Sequence, residues 1–491
     1  MKRKSATLVY GILFGVFIGA TAIEGVKLHG VTKASSSFVS DESAADPYEG
    51  LVGTVEGTTA DMLVPGYWLV GAEDEVLFTG DEIEDFNDNN PAYVEYRPEG
   101  SFSNRKLYMY DLPEKIDGDV VASLMAPELI DELRENGPLY AEGKEVGEDY
   151  FDEIRSNMGL DCLQEQVIPF YGICVVRSDG RTLPCDDFIA ADPEEMYFDE
   201  LISSEFMPGI PVVILAESRD GEWFFAINGS YCGWVHKDTV ALCDDKTMWY
   251  EASHPEQFLM VTGSEIILER NARNSQASGL ILPMGTKIKL VSDGDDGEYD
   301  RMAWGCYRAE VPCRGDDGKL YWERVLIPVS KDVCAGYPEM TSKAVLEQAF
   351  KFQGKIYGYG GTLSSNDCSG FVRQVYACFG FELPRNAKAI ARTYDLGSID
   401  CTKMTTAKKL SVLKEMLPGS LVFMEGHIMM YLGTKEGIPY VISSCATCIE
   451  PGHDTSDIVE AYGVFVSGMN LRRANGNTWL EDMNYILWRE Y

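Results

Sequence analysis

At 491 residues the chain is longer than a single hydrophobic core supports, so roughly two to four domains are expected. With 45% hydrophobic and 24% charged residues its composition is that of a folded protein, which excludes a chain too polar to bury a core. A formal net charge of −36 repels phosphate backbones and excludes nucleic acid as a partner, while giving an acidic, soluble surface.

Lys2, Arg3 and Lys4 precede an apolar run over 6–23, the layout of an export signal. Ala20-Thr21-Ala22 offers a small-residue cleavage site, and the run also approaches bilayer-spanning length, so residues 1–23 read as a signal peptide or a membrane anchor. No cysteine occurs before Cys162, which excludes a lipid-modified cysteine at the end of that segment. The chain is therefore expected outside the cytoplasm, extracellular or in the cell envelope, touching membrane only through this segment. Residues 24–60, with a stretch rich in Ser, Ala and acids, read as a flexible linker. Residues 61–165 mix acidic turns with amphipathic pieces, and helices are expected over 126–136 and 149–157 in a mostly helical segment.

From Gln166 the pattern changes. Short apolar runs at 172–177, 212–215, 223–227 and 233–235, separated by Asp-Gly and Asn-Gly turns, predict a small β-barrel over 166–245. Trp223 and Trp234 are assigned to its core. A second, looser barrel is expected over 253–335, with Val261-Thr262-Gly263, Gly285-Thr286 and Asp316-Asp317-Gly318 as turn markers. Residues 336–491 then form an α+β domain, opened by a helix that Met340-Thr341-Ser342 caps and that buries Val345, Leu346, Ala349 and Phe350.

Chemistry concentrates in this last domain. After Gly358, Gly360 and Gly361, the stretch Asn366-Asp367-Cys368-Ser369-Gly370-Phe371-Val372 starts a helix whose apolar face is Phe371, Val372, Val375, Tyr376 and Phe379. Asn366 or Asp367 caps it, leaving Cys368 in the first turn, where backbone N–H groups and the helix dipole favour a thiolate. The chain has only five histidines, His29, His236, His254, His427 and His453. His427 opens a strand-like run that follows Ser420-Leu421-Val422-Phe423-Met424 across a Glu425-Gly426 turn. A cysteine at a helix start facing a strand histidine is the arrangement of a thiolate–imidazolium pair. On residue pattern alone, an inert buried cysteine and a satisfied core histidine stay open as the alternative. Cys445 and Cys448 form a C-x-x-C without a second pair or nearby ligands, so no metal site and no cofactor are expected. Thirteen cysteines is an odd count and leaves at least one thiol unpaired.

Tyr357-Gly358-Tyr359-Gly360-Gly361, Asp367-Cys368-Ser369-Gly370-Phe371-Val372, Leu383-Pro384-Arg385, Pro418-Gly419-Ser420-Leu421-Val422-Phe423, and His427 with Tyr431-Leu432-Gly433 stand in an order that resembles the NlpC-type cell-wall cysteine peptidases. The resemblance covers roughly 166–491, is strongest from Tyr337 onward, and implies a papain-like α+β peptidase domain behind two SH3-like barrels. It also implies that the N-terminal segment clasps the other domains. It implies Cys368 as nucleophile, His427 as base and Tyr357 near the oxyanion site, with Asp367, Ser369 and Tyr231 holding the terminal amine and backbone of the substrate. Ser443 stands where the family usually has a histidine that orients the base. Tyr359, Ser420, Ala387 and Ile390 also depart from the usual Trp, Asp, hydroxyl residue and Gln. The implied function is hydrolysis of γ-D-glutamyl to diamino-acid bonds in peptidoglycan stem peptides bearing a free N-terminal L-Ala. The alternative is an impaired homologue that binds wall fragments, and a transferase or amidase on the same frame is a third reading.

Overall fold

The computed structural model describes residues 52–97, 101, 103–291, 299–393 and 397–487. The expectations for residues 1–23 and for 24–51 of the linker fall outside the described residues. Among the described residues no helix is long and apolar enough to cross a membrane.

Residues 52–60, assigned to the linker by composition, are packed rather than free: the Gly57 carbonyl accepts from the Tyr440 hydroxyl at 2.9 Å and Thr58 is buried. Helix α1 (Gly80–Asn89) follows, closed at its start by a reciprocal capping box between Thr79 and Glu82. Helices α2 (Gly118–Met125), α3 (Leu129–Glu135) and α4 (Glu148–Asn157) alternate with short strand pairs such as Tyr93–Tyr96 with Arg105–Tyr108, so helices predominate in a segment that also carries short strands. The helix expected over 126–136 begins only at Leu129. Ala126 precedes Pro127, which disfavours the right-handed helical region, and it sits left-handed at φ 47°, ending α2.

The first β domain is a seven-stranded antiparallel sheet of β1 (Phe170–Cys174), β2 (Ser178–Arg181), β3 (Ile202–Phe206), β4 (Pro211–Glu217), β5 (Trp223–Asn228), β6 (Tyr231–His236) and β7 (Val240–Leu242). The spatial order is β3-β2-β6-β5-β4-β1-β7. Strands β5 and β6 form a hairpin in register from Trp223↔His236 to Asn228↔Tyr231, and Gly229 at φ +63° makes its two-residue turn. Trp223 and Trp234 are core residues, as expected. They share one cluster with Val121, Ile130 and Phe151 of the N-terminal segment and with Trp249 of α5 (Lys246–Ser253).

The second sheet contains β8 (Phe258–Val261), β9 (Lys287–Leu290), β10 (Cys306–Arg314), β11 (Leu320–Pro328) and β12 (Val333–Ala335), ordered β11-β10-β9-β8-β12. It has its own core, including Leu259, Ile288, Val311 and Ile327.

In the last domain α6 (Ser342–Phe350), capped by Thr341, packs beside α7 (Cys368–Ala377). Its sheet comprises β13 (Ser398–Asp400), β14 (Leu421–Met424), β15 (His427–Lys435), β16 (Ile438–Cys448), β17 (Val459–Gly468) and β18 (Met483–Leu487), in the order β13-β18-β14-β15-β16-β17. Phe371, Val372, Val375 and Tyr376 of α7 bury against Phe423, Ile428, Met430 and Leu432 of the sheet. Each such side chain contributes about 2 kcal/mol by leaving water. That contact sets the head of α7 over the start of β15.

Candidate active site

Asp367 caps α7: its Oδ1 accepts from the Gly370 N–H at 2.7 Å, and Cys368 is the first helical residue. The loop that delivers it is strained. Gly360 and Gly361 have φ of 64° and 112°, and the non-glycine residues Leu363 and Ser364 are also left-handed, at 60° and 52°. Glycine is required at the first of these, because a Cβ on Gly360 would lie 2.6 Å from the Ile202 carbonyl oxygen of β3.

Cys368 as a residue is half-buried, and its desolvated sulfur lies against the backbone N–H of Ile428, the residue after His427. Helix and strand therefore meet where the residue pattern placed them. His427 is buried, its ring edge-on to Trp479 with centroids 5.3 Å apart, and its Nε2 is 3.2 Å from the Ser443 Oγ on β16. With Nε2 committed to Ser443, Nδ1 is the ring nitrogen left for another partner.

The charge state differs from the sequence expectation. Burial, followed by the negative charge of Asp367, pushes the Cys368 thiol up to about 12, outweighing the N–H groups of Ile428 and Ser369 and the Arg385 charge. Burial, followed by the positive charge of Arg473, brings His427 down to about 4. Both shifts favour the neutral thiol and imidazole over the thiolate and imidazolium. The helix dipole favours the anion, but it acts here in a site that has lost its water.

The remaining candidates surround this pair. Tyr357 is buried, its phenol pushed up by burial and then by the nearby Asp367 and Cys368, and its ring is 6.0 Å from that of Phe198 in the first β domain. Asp367 Oδ2 accepts from Arg385 Nη2 at 2.7 Å and from the Gly360 N–H at 3.3 Å, while Oδ1 also accepts from the Ser369 hydroxyl at 2.9 Å. Burial alone would raise the Asp367 carboxyl; the Arg385 guanidinium and these donors hold it below its usual range instead. Arg385 also donates to Ser369 Oγ at 2.9 Å and, from Nε, to Ser204 Oγ of β3 at 3.0 Å. Tyr231, half-buried on β6, accepts from the Ser203 hydroxyl at 3.0 Å and lies within the field of Arg385. The structure thus links Asp367 and Ser369 through Arg385, within whose field Tyr231 lies, sets Tyr357 near Asp367 and Cys368, and joins His427 to Ser443.

Several members carried no sequence signal for a role. Arg385 stood in the Leu-Pro-Arg motif without one, Trp479 and Arg473 come from the chain's end, and Phe198 from the first β domain. All thirteen cysteines are free thiols, including Cys445 and Cys448. Glu56, Glu450 and His453 form a carboxylate–imidazole group whose ligand atoms lie within 4.8 Å of one another.

Residues 354–446 match the model of the NlpC/P60 family, and residues 190–236 match that of an SH3 domain of the SH3b1 type. No curated protein matches the chain. Among solved structures, an NlpC/P60 endopeptidase from Photobacterium damselae subsp. piscicida is similar at 15% identity, over 89% of this chain and 98% of that one, with a TM-score of 0.65. An NlpC/P60 family protein from Bacillus cereus shows 17% identity over 58% of this chain and 82% of that one, with a TM-score of 0.41. The first likeness establishes a shared fold.

Proposed function

We propose, for a chain that carries an NlpC/P60 domain of the cell-wall cysteine peptidases behind an SH3b1-type domain, that it hydrolyses γ-D-glutamyl to diamino-acid bonds in peptidoglycan stem peptides. The observation that carries this reading is the approach of the Cys368 sulfur to the start of β15, where His427 keeps Nδ1 free because Nε2 meets Ser443. His427 takes the thiol proton as Cys368 attacks the γ-carbonyl carbon, then returns it to the leaving amine of the diamino acid. Water, deprotonated by the same imidazole, cleaves the thioester. The Tyr357 hydroxyl and the N–H groups at the head of α7 are the candidate oxyanion donors. Tyr231, beside Ser203 and in the field of Arg385, is in this reading the candidate to receive a substrate's free L-Ala amine. Asp367 already accepts four close protein donors, so its role in this reading is to hold Ser369 and Arg385 in place. Export follows from Lys2, Arg3, Lys4 and the apolar run behind them.

The test is the release of free diaminopimelate from L-Ala-γ-D-Glu-diaminopimelate, followed by mass spectrometry. Wild type is expected to cleave and Cys368→Ala to lose all turnover; equal inertness of both across a panel of muropeptides defeats the reading. One observation favours a second function, a wall-fragment binding module: Ser443 offers the imidazole an uncharged partner, so an imidazolium draws only on the charge of Asp367, against burial and the larger opposing effect of Arg473. Tight muropeptide binding by wild type without turnover would establish it.

A further inference from the structure

Arg177, in the loop between β1 and β2, reaches out of the first β domain to the loop that bears the nucleophile. Its Nη1 donates to the Ser364 carbonyl and its Nη2 to the Ser365 carbonyl, each at 2.5 Å. Nη2 also pairs with Glu205 Oε2 on β3, and the two side chains are only 15% and 8% exposed. The other Glu205 oxygen accepts from Gln374 Nε2 on α7 at 3.4 Å, and that amide donates in turn to Asn366 Oδ1 at 2.9 Å. One buried ion pair of the first β domain therefore grips Ser364, Ser365 and, through Gln374, Asn366, the residues that run up to Asp367 and Cys368. The grip falls where restraint is needed, because left-handed Leu363 and Ser364 persist only when their surroundings hold them. Two successive carbonyls suit the planar fork of a guanidinium and not the point charge of an ammonium.

We propose that Arg177, locked by Glu205, is a positioning residue for the nucleophile: it holds the backbone of 363–365 and so places the Cys368 sulfur beside His427. The kinetic consequence rests on the peptidase reading above; the geometric one does not.

The test compares the full chain with Arg177→Met, Arg177→Lys and Glu205→Gln in two measurements. The first is kcat and KM on L-Ala-γ-D-Glu-diaminopimelate. The second is the rate of iodoacetamide labelling at each cysteine, resolved by mass spectrometry. In Arg177→Met kcat is expected to fall about tenfold or more with KM within about twofold, since misplacement of a reacting atom costs rate rather than binding. Cys368, released from its half-buried seat, is expected to label at least about fivefold faster, while Cys174 in the first β domain and Cys401 in the last stay protected. Arg177→Lys is expected to fall between. Wild-type kcat and wild-type Cys368 labelling in Arg177→Met overturn the proposal. Should Cys174 and Cys401 also label in that variant, as in global unfolding, wild-type values for Arg177→Lys and Glu205→Gln in both measurements overturn it, and intermediate losses uphold it. If wild type does not cleave, the peptidase reading fails by itself and the labelling ratio still decides the brace.

Discussion

In the peptidase reading proposed above, Cys368 and His427 exchange a proton in a place where burial disfavours the charged form of each. For His427 this has a consequence that can be measured without any substrate. Held neutral in the fold, with Arg473 opposing its charge more than Asp367 favours it and with Ser443 and Trp479 about it, the imidazole binds its proton only near pH 4, against an ordinary 6.5 in the unfolded chain. Between those values the unfolded state carries the extra proton, so stability rises with pH across the window and is lost on acidification, by about 3 kcal/mol for this group. His427→Gln is expected to remove that share: on going from pH 7 to pH 4.5 its unfolding midpoint should fall less than that of wild type. Parallel falls would mean that the ring is not buried and neutral. That Cys368 heads a helix beside the start of the strand opened by His427 was legible in the sequence, because helical periodicity isolates the one and a shortage of histidines the other. Their protonation was not, since desolvation depends on what packs over them from far along the chain, and Trp479 and Arg473 give no local sign of it.

Elements were legible in proportion to how local their causes are. The start of α6 at Thr341, the cap of α7 at Asp367 and the β5–β6 hairpin at Gly229 all follow from side-chain chemistry within four residues. The loop over 359–364 is different. Its glycines announced a tight turn, but what requires them is strand β3, which lies far upstream in sequence and leaves room for no side chain at Gly360. Gly360→Ala combines a left-handed alanine, at a cost of about 1–2 kcal/mol, with a collision between its Cβ and the Ile202 carbonyl. The loop must then retreat from β3 and carry Cys368 with it, so kcat on the muropeptide is expected to drop by about a hundredfold. Wild-type turnover in this variant would show that the approach of loop to strand has no bearing on the chemistry. The same dependence on a distant strand explains why Arg177 and Glu205 went unread: a charged pair in an acidic β domain looks like surface until the loop it grips is laid beside it.

At the scale of the whole molecule, Val52–Tyr491 behaves as one compact unit because the N-terminal segment is shared between domains. Its later part, with Val121, Ile130 and Phe151, completes the core of the first β domain, while Met62, Trp68 and Leu69 join the core under α6 and α7. Composition could not reveal that division, since residues 52–60 read as linker and the helices after them look alike in pattern. Trp68 is the anchor of the earlier part. Its Nε1 donates to the Met62 carbonyl at 2.8 Å, its ring lies 5.1 Å from that of Tyr440 on β16, and it covers Gly433 of β15, where a Cβ would come within 3.3 Å of the indole. The indole thus backs the two strands that carry His427 and Ser443. Trp68→Ala opens a cavity there and is expected to cost about 3–5 kcal/mol, read as a lower urea midpoint for the last domain. Because β15 and β16 lose their backing together, the His427–Ser443 contact should loosen as well, and kcat should fall in urea concentrations that leave wild type fully active. A variant that kept the wild-type midpoint would show that residues 60–69 rest on the last domain without holding it.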